Sequence, residues 1–250
     1  MPGSRALNAH TAKMEAPTLA LFRLCRTLVL LLAAAALPLV ARTATSEGLP
    51  NRGPIAPYLM DRQAEIALAR SAAPSSISAG ATVLVFTSHG YETAVNGTNG
   101  WVCLIERSWN ANYRDTEFWN PKERGPDCLN PPAARTEITY VLKQAQWALA
   151  GLSAQQIMER TKAAEADGTL LPPEPGAFGL MLSKEGYLNH ARGPWQPHVM
   201  LFVARNQVAS WGTLVNNAAN SPVDSVDRTG ESTLIMIPVL MWSDGSPAPH

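Results

Sequence analysis

The sequence has few cysteines, no surplus of either charge and no apolar run long enough to cross a bilayer. Three of its 250 residues are cysteines, and 20 lysines and arginines balance 20 aspartates and glutamates. The longest apolar run, residues 27–41, holds 15 residues with Pro38 among them, whereas a membrane-spanning helix needs about 20. No later segment is long enough and apolar enough to span a membrane, so the sequence does not predict a membrane-spanning protein.

Familiar catalytic signatures are also missing. The chain has no G-x-S-x-G nucleophile turn, no H-E-x-x-H zinc motif, no glycine-rich phosphate loop and no cysteine or histidine pair at zinc spacing. The sequence therefore does not indicate a hydrolase or nucleotide-binding protein of the common types, and no cofactor or metal is predicted.

The start of the chain has the pattern of a secretory signal peptide. Arg23 and Arg26 precede the apolar run, which ends in the small-residue segment 41–44. We therefore predict a signal peptide over residues 1–44, an extended leader over 45–57 and one globular domain over 58–250. An uncleaved anchor is the alternative. Cleavage predicts an exported protein, periplasmic or extracellular, with no membrane attachment.

Removal of the signal changes the charge balance. The remaining chain has 15 basic and 19 acidic residues, and a mildly acidic domain lacks the basic face that nucleic acid requires. Nucleic acid is therefore not an expected partner.

Two cysteines, Cys103 and Cys128, remain after cleavage. An even pair in an oxidising compartment predicts a disulfide, and closing a loop of about 25 residues stabilises a fold by roughly 3 kcal/mol. Two unpaired thiols are the alternative. The disulfide would constrain residues 108–133, which lack helical and strand periodicity but contain several aromatic residues, among them Trp109 and Trp119.

Hydrophobic periodicity predicts an α+β fold, because the helices are grouped and do not alternate with the strands. We expect a mainly antiparallel sheet of about six strands with three helices. Two Asn-Gly steps in residues 96–100 predict a hairpin between the second and third strands. The predicted helices are 58–72, 138–149 and 153–168, and the predicted strands are 81–87, 91–95, 101–107, 177–183, 198–204 and 233–242. In the first helix, Glu65 falls on the polar side.

Four residues are candidates for catalysis. His198 stands at the mouth of a buried strand and His89 at a bend between strands, so either could act as a general base. Glu106 and Arg107, at the end of the third strand, could orient the base and stabilise charge. Each has a structural alternative. His198 could be a core histidine bonded to a backbone carbonyl, and His89 could be a turn histidine. Glu106 and Arg107 could be strand-end charges. A metal site drawn from His89, His190, His198 and Glu106 lacks any supporting local spacing.

Aromatic residues favour a binding role. A cleft between the sheet and residues 108–133 would be lined by aromatic side chains with a few polar groups, as ligand pockets are. The candidate ligand-binding residues are Tyr91, Trp109, Trp119, Trp195 and His198. We therefore expect a non-catalytic domain that binds a small ligand or a protein partner. A hydrolase-like enzyme using His198 or His89 with Glu106 and Arg107 is the alternative, and an envelope-associated scaffold is a third possibility.

Four segments carry a resemblance over nearly the whole exported chain. They are residues 99–107, 173–177, 195–200 and 242–247, with the sequences NGWVCLIER, PEPGA, WQPHVM and WSDGSP. The combination resembles a group of uncharacterised bacterial exported proteins. The resemblance implies a bacterial, exported origin and carries over no activity, cofactor or site residue.

Overall fold

The computed structural model describes one part of the chain in detail. The described residues are 53–110, 113, 116–187, 196–204, 207, 210, 224–227 and 232–248. All of them belong to the second of two units into which the chain divides, Ser46–His250. The predicted signal peptide, His190 and Trp195 lie outside the described residues.

Eight strands and five α-helices occur among the described residues. The helices are α1 (Arg62–Arg70), α2 (Ser75–Ser78), α3 (Pro131–Arg135), α4 (Glu137–Leu149) and α5 (Ala154–Ala166). The strands are β1 (Thr82–Thr87), β2 (Gly90–Val95), β3 (Val102–Glu106), β4 (Gly125–Leu129), β5 (Phe178–Met181), β6 (His198–Ala204), β7 (Asp224–Asp227) and β8 (Ser232–Pro238). The α+β class is thus confirmed.

The strands form one sheet in the order β2-β1-β3-β4-β5-β6-β8-β7. Every neighbouring pair is antiparallel except β1 and β3, which run parallel. The prediction of about six strands and three helices was too low, because β4, β7 and the short helices α2 and α3 were missed. Helices α1, α4 and α5 correspond to the three predicted ones.

The two faces of the sheet are covered by different helices. Successive residues of β3 point to opposite faces, so Cys103 and Ile105 pack in the core cluster that contains Leu68 of α1. Leu104 packs on the other face, in the cluster that contains Val141 of α4. The sheet is therefore the middle layer between α1 and α4.

Local sequence signals explain where the helices begin. The side chain of Asp61 accepts hydrogen bonds from the first-turn amides of α1, which is the role of an N-cap residue. Ser153 and Gln156 form the reciprocal capping box at the start of α5. This second cap lies at the start of the predicted helix 153–168.

The predicted hairpin between the second and third strands is wrong. β2 pairs with β1 through the tight turn at residues 88–89, and β1 lies between β2 and β3. Residues 96–100 instead carry the chain past β1. A Cβ atom at Gly97 would lie 2.1 Å from the backbone nitrogen of Thr82. Gly97 is therefore needed for close approach to β1 and not for a hairpin turn.

Residues 108–133 contain regular structure, contrary to prediction. A 3₁₀ turn covers Ser108–Asn110, β4 follows, and α3 begins at Pro131. All five residues of β4 are buried, so the strand has no alternation to detect. The predicted Cys103–Cys128 disulfide is confirmed, with an S–S distance of 2.00 Å. It joins directly opposite residues of β3 and β4.

Candidate functional site

The two candidate histidines have different surroundings. His89 is exposed in the turn between β1 and β2. His198, the first residue of β6, is 7% exposed, and its Nδ1–H group donates to the carbonyl oxygen of Gln196 at 2.7 Å. Burial lowers the pKa of His198 below its ordinary value, against a smaller opposing effect of that hydrogen bond. This is the environment of a core histidine bonded to a backbone carbonyl.

The sheet separates His198 from the other candidate catalytic residues. β1 and β6 are four strand positions apart, which corresponds to about 19 Å at the usual strand spacing of about 4.8 Å. Glu106 ends β3, three positions from β6, and lies opposite Gly125 of β4. The fold does not bring His198 together with His89 or Glu106, whereas His89 follows the end of β1 and Glu106 ends the neighbouring parallel strand β3.

Arg107 and Glu65 form a buried ion pair. The Nη2 atom of Arg107 lies 2.9 Å from Oε1 of Glu65, and the two side chains are 0% and 1% exposed. The same Oε1 atom accepts a hydrogen bond from the backbone N–H of Phe86 at 2.9 Å. The pair thus connects α1, β1 and the end of β3.

Sequence reasoning had placed Glu65 on the polar side of the first helix, and this was wrong. Glu65 lies three, four and seven residues before Leu68, Ala69 and Ala72, which are all buried. That spacing is the apolar stripe of a helix. A carboxylate within the stripe was the signal that could have identified it.

The other two guanidinium nitrogens of Arg107 also donate hydrogen bonds. Its Nε donates to the carbonyl oxygen of Tyr58 at 3.1 Å and its Nη1 to that of Ile105 at 2.7 Å. The guanidinium carbon lies 5.2 Å from the centroid of the Phe86 ring, within the range of a cation–π contact. Arg107 is therefore held in one orientation from several sides.

Two further ionisable side chains share these carbonyl acceptors. The hydroxyl of Tyr91 donates to the Ile105 carbonyl oxygen at 2.7 Å, and burial raises the pKa of Tyr91. Arg124 donates through Nη2 to the Tyr58 carbonyl oxygen at 3.3 Å. Burial, reinforced by the charge of Arg107, lowers the pKa of Arg124 to about 10.

The aromatic candidates for ligand binding lie close together, but they pack against each other. The ring of Trp109 is 4.8 Å from that of Tyr58 and 5.3 Å from that of Phe86, and 6.4 Å from that of Trp119. Trp109 is completely buried. Tyr91 contacts Phe86 at 5.2 Å. These side chains fill the space between the sheet and residues 108–133 that the predicted cleft would occupy.

A pocket of about 270 Å³ opens beside the buried ion pair. It lies between the start of α1 and the end of β1, and we call it the Glu65 pocket. Its lining consists of Leu59, Met60, Arg62, Glu65, Val85, Phe86, Thr87 and Ser88. Arg62 forms an ion pair with Glu92 of β2. The sequence did not predict this pocket, because its walls come from segments over twenty residues apart.

A second pocket, of about 310 Å³, lies on the surface of α5. It is lined by Leu152, Gln156, Glu159, Arg160 and Ala163. None of these five residues is buried, so it lacks the enclosed polar side chain that distinguishes the Glu65 pocket.

No protein-family model, curated protein or solved structure matches this chain. Within the described ranges, no three histidine, cysteine, aspartate or glutamate side chains are grouped so that they could hold a metal ion. The helices of that same part of the chain are all too short or too polar to cross a membrane.

Proposed function

We propose that this protein is an exported domain that binds a small ligand in the Glu65 pocket. The observation that carries the proposal is a buried carboxylate in the lining of a cavity whose other walls are part apolar, from Leu59, Met60, Val85 and Phe86, and part polar. Ligand sites commonly combine apolar walls with a small number of fixed polar groups. Glu65 is such a group, because Arg107 and the Phe86 N–H hold its carboxylate in place.

Energetics also support a role in recognition. A buried ion pair adds little to stability compared with apolar residues of similar volume, because both charges lose their hydration. The Arg107–Glu65 pair is therefore poorly explained as a device for stability alone. Its position beside a cavity gives it a use that apolar residues could not supply.

Two features support export to the periplasm or the extracellular medium. One is the signal-like pattern of residues 1–44. The other is the Cys103–Cys128 disulfide, since disulfides persist in oxidising compartments and are rare in the cytosol. A small ligand or a protein partner outside the cytosol is thus the expected class of binding partner.

The surroundings and the position of His198 favour ligand binding over hydrolysis. A general base must lie within hydrogen-bond reach of the proton that it removes, and a nearby group must orient it. His198 is bonded to a backbone carbonyl, and the sheet separates it from both His89 and Glu106.

Native mass spectrometry tests the proposal. The protein would be purified without refolding from the compartment that receives it, as wild type, as Ser88→Tyr and as Ser76→Tyr. Ser88 lines the pocket, whereas Ser76 is exposed on α2. We expect a small-molecule adduct on the wild type and on Ser76→Tyr that is absent from Ser88→Tyr. An adduct of equal occupancy on all three proteins, or on none, contradicts the proposal.

A further inference from the structure

We infer that the ligand of the Glu65 pocket is a compact apolar amine whose ammonium group binds the Glu65 carboxylate. This inference rests on the proposed function and specifies the chemistry of its ligand. Three properties of the pocket support it: the acceptor that Glu65 presents, the engagement of neighbouring donors, and the apolar walls.

Glu65, which lines the pocket, retains acceptor capacity. Both hydrogen bonds that it accepts, from the Phe86 N–H and from Arg107 Nη2, go to Oε1. An ionised carboxylate has about four lone-pair sites on its two oxygens, so Oε2 can accept further donors. A buried charged acceptor has a strong demand for such a donor, because water reaches it poorly.

Two side chains that line the pocket have donors engaged outside it. Arg62 donates through Nη1 to Glu92 of β2. The Thr87 hydroxyl donates to the Gly90 carbonyl oxygen at 2.8 Å. A ligand that supplies its own donor is the complement of the Glu65 acceptor.

Charge favours an ammonium group over a neutral donor. An ammonium group adds a charge–charge attraction to its hydrogen bond with the carboxylate, and this attraction is stronger near the protein interior than in bulk water. The chain after residue 44 also has four more acidic than basic residues, and an acidic surface raises the local concentration of cations. A carboxylate ligand would instead meet the Glu65 charge directly.

The walls and the volume of the pocket indicate the polarity and the size of the part of the ligand that carries the ammonium group. Leu59, Met60, Val85 and Phe86 supply an apolar surface suited to a short aliphatic or aromatic chain. A volume of about 270 Å³ lies just below the roughly 300–1,000 Å³ of pockets for drug-sized ligands. The ligand is therefore a small amine and not a long peptide.

Isothermal titration calorimetry at pH 7 with three probes of one carbon skeleton tests the inference. The probes are 3-methylbutylamine, 3-methylbutanol and 3-methylbutanoate, titrated into the exported protein. We expect the amine to bind at least tenfold more tightly than the alcohol, and the carboxylate most weakly. Binding of the amine should be lost in Ser88→Tyr and kept in Ser76→Tyr.

The outcomes separate this inference from the proposed function. Equal or tighter binding of the alcohol or the carboxylate, lost in Ser88→Tyr, overturns the amine inference and leaves small-ligand binding in the pocket intact. Failure of the amine to bind also overturns the inference, whatever adduct native mass spectrometry finds. Amine binding unaffected by Ser88→Tyr contradicts both, because it places the ligand elsewhere.

Glu65→Gln provides a second, independent measurement. Glutamine keeps an oxygen acceptor for Arg107 but removes the negative charge, so the preference for the amine over the alcohol should fall at least tenfold. An unchanged preference in a folded variant overturns the inference. If the variant does not fold, the probe series on the wild type and Ser88→Tyr still decides.

Discussion

Glu65 and Arg107 lie 42 residues apart in the sequence, and their side chains meet at 2.9 Å in the interior. The contact fixes the start of α1 to the end of β3. It also holds the carboxylate that lines the Glu65 pocket, so the same pair contributes to the fold and to the proposed site.

Replacement of Arg107 by methionine tests how much the fold depends on this contact. The substitution leaves the Glu65 carboxylate buried without its cation, which typically costs about 3–5 kcal/mol in the free energy of unfolding. Equilibrium urea denaturation would measure the loss. The double variant Arg107→Met with Glu65→Leu should recover most of it, because both charges are then absent. A loss under 1 kcal/mol in the single variant would contradict the burial of the pair.

Removal of the disulfide should destabilise the protein by roughly 3 kcal/mol, because the unfolded chain regains the freedom of a 25-residue loop. Urea denaturation with and without dithiothreitol would measure this difference. The Cys103→Ala, Cys128→Ala double variant is the control, since the reductant should leave its midpoint unchanged. A wild-type midpoint insensitive to complete reduction would show that the bond contributes nothing.

His198 should make the fold sensitive to mild acid. In the unfolded chain a histidine takes up a proton below pH about 6.5, whereas burial lowers the pKa of His198 in the folded protein. Between those two pKa values the unfolded state binds more protons, so the free energy of unfolding decreases as the pH falls below about 6.5. Above that pH the histidine is neutral in both states and adds no such dependence.

Thermal denaturation from pH 8 to pH 5 measures the His198 effect. We expect His198→Gln to have a smaller decrease in melting temperature with acid than the wild type. His89→Gln is the matched control, because it removes an exposed histidine in place of the buried one. Identical pH profiles for all three proteins would contradict the prediction.

Gly97→Ala should be strongly destabilising. The added Cβ would lie 2.1 Å from the Thr82 backbone nitrogen and 2.6 Å from the Gly80 carbonyl oxygen. Backbone must move to relieve these contacts, which costs about 1–3 kcal/mol or more. Thr98→Ala, at an exposed position of the same loop, should change stability by less than about 0.5 kcal/mol. Similar melting temperatures for the two variants would argue against the crossing of residues 96–100 beside β1.

Local signals in the sequence were sufficient for much of the fold. The apolar run that forms β1 and the capping box of α5 each contain their information within a few residues, and both elements occur where predicted. The disulfide was predictable because only two cysteines follow the signal-like segment.

The missed features depend on contacts between distant segments. β4 contains glycine and proline and is buried at every position, so neither composition nor alternation marks it as a strand. The Asn-Gly steps indicate a change of chain direction but not which strand lies next to β2. The Glu65 pocket needs α1 placed against β1 and β3, and no short sequence window contains that arrangement.

The covalent link across the centre of the sheet has a mechanical consequence. Cys103 and Cys128 are 25 residues apart, and a fully extended chain spans about 3.3–3.6 Å per residue. When the oxidised protein is stretched from its two ends, this segment stays looped out of the line of force. The fully extended oxidised protein is therefore roughly 85 Å shorter than the fully extended reduced protein. The disulfide protects the β3–β4 contact from separation, and in the strand order this contact lies between the first three strands and the last five.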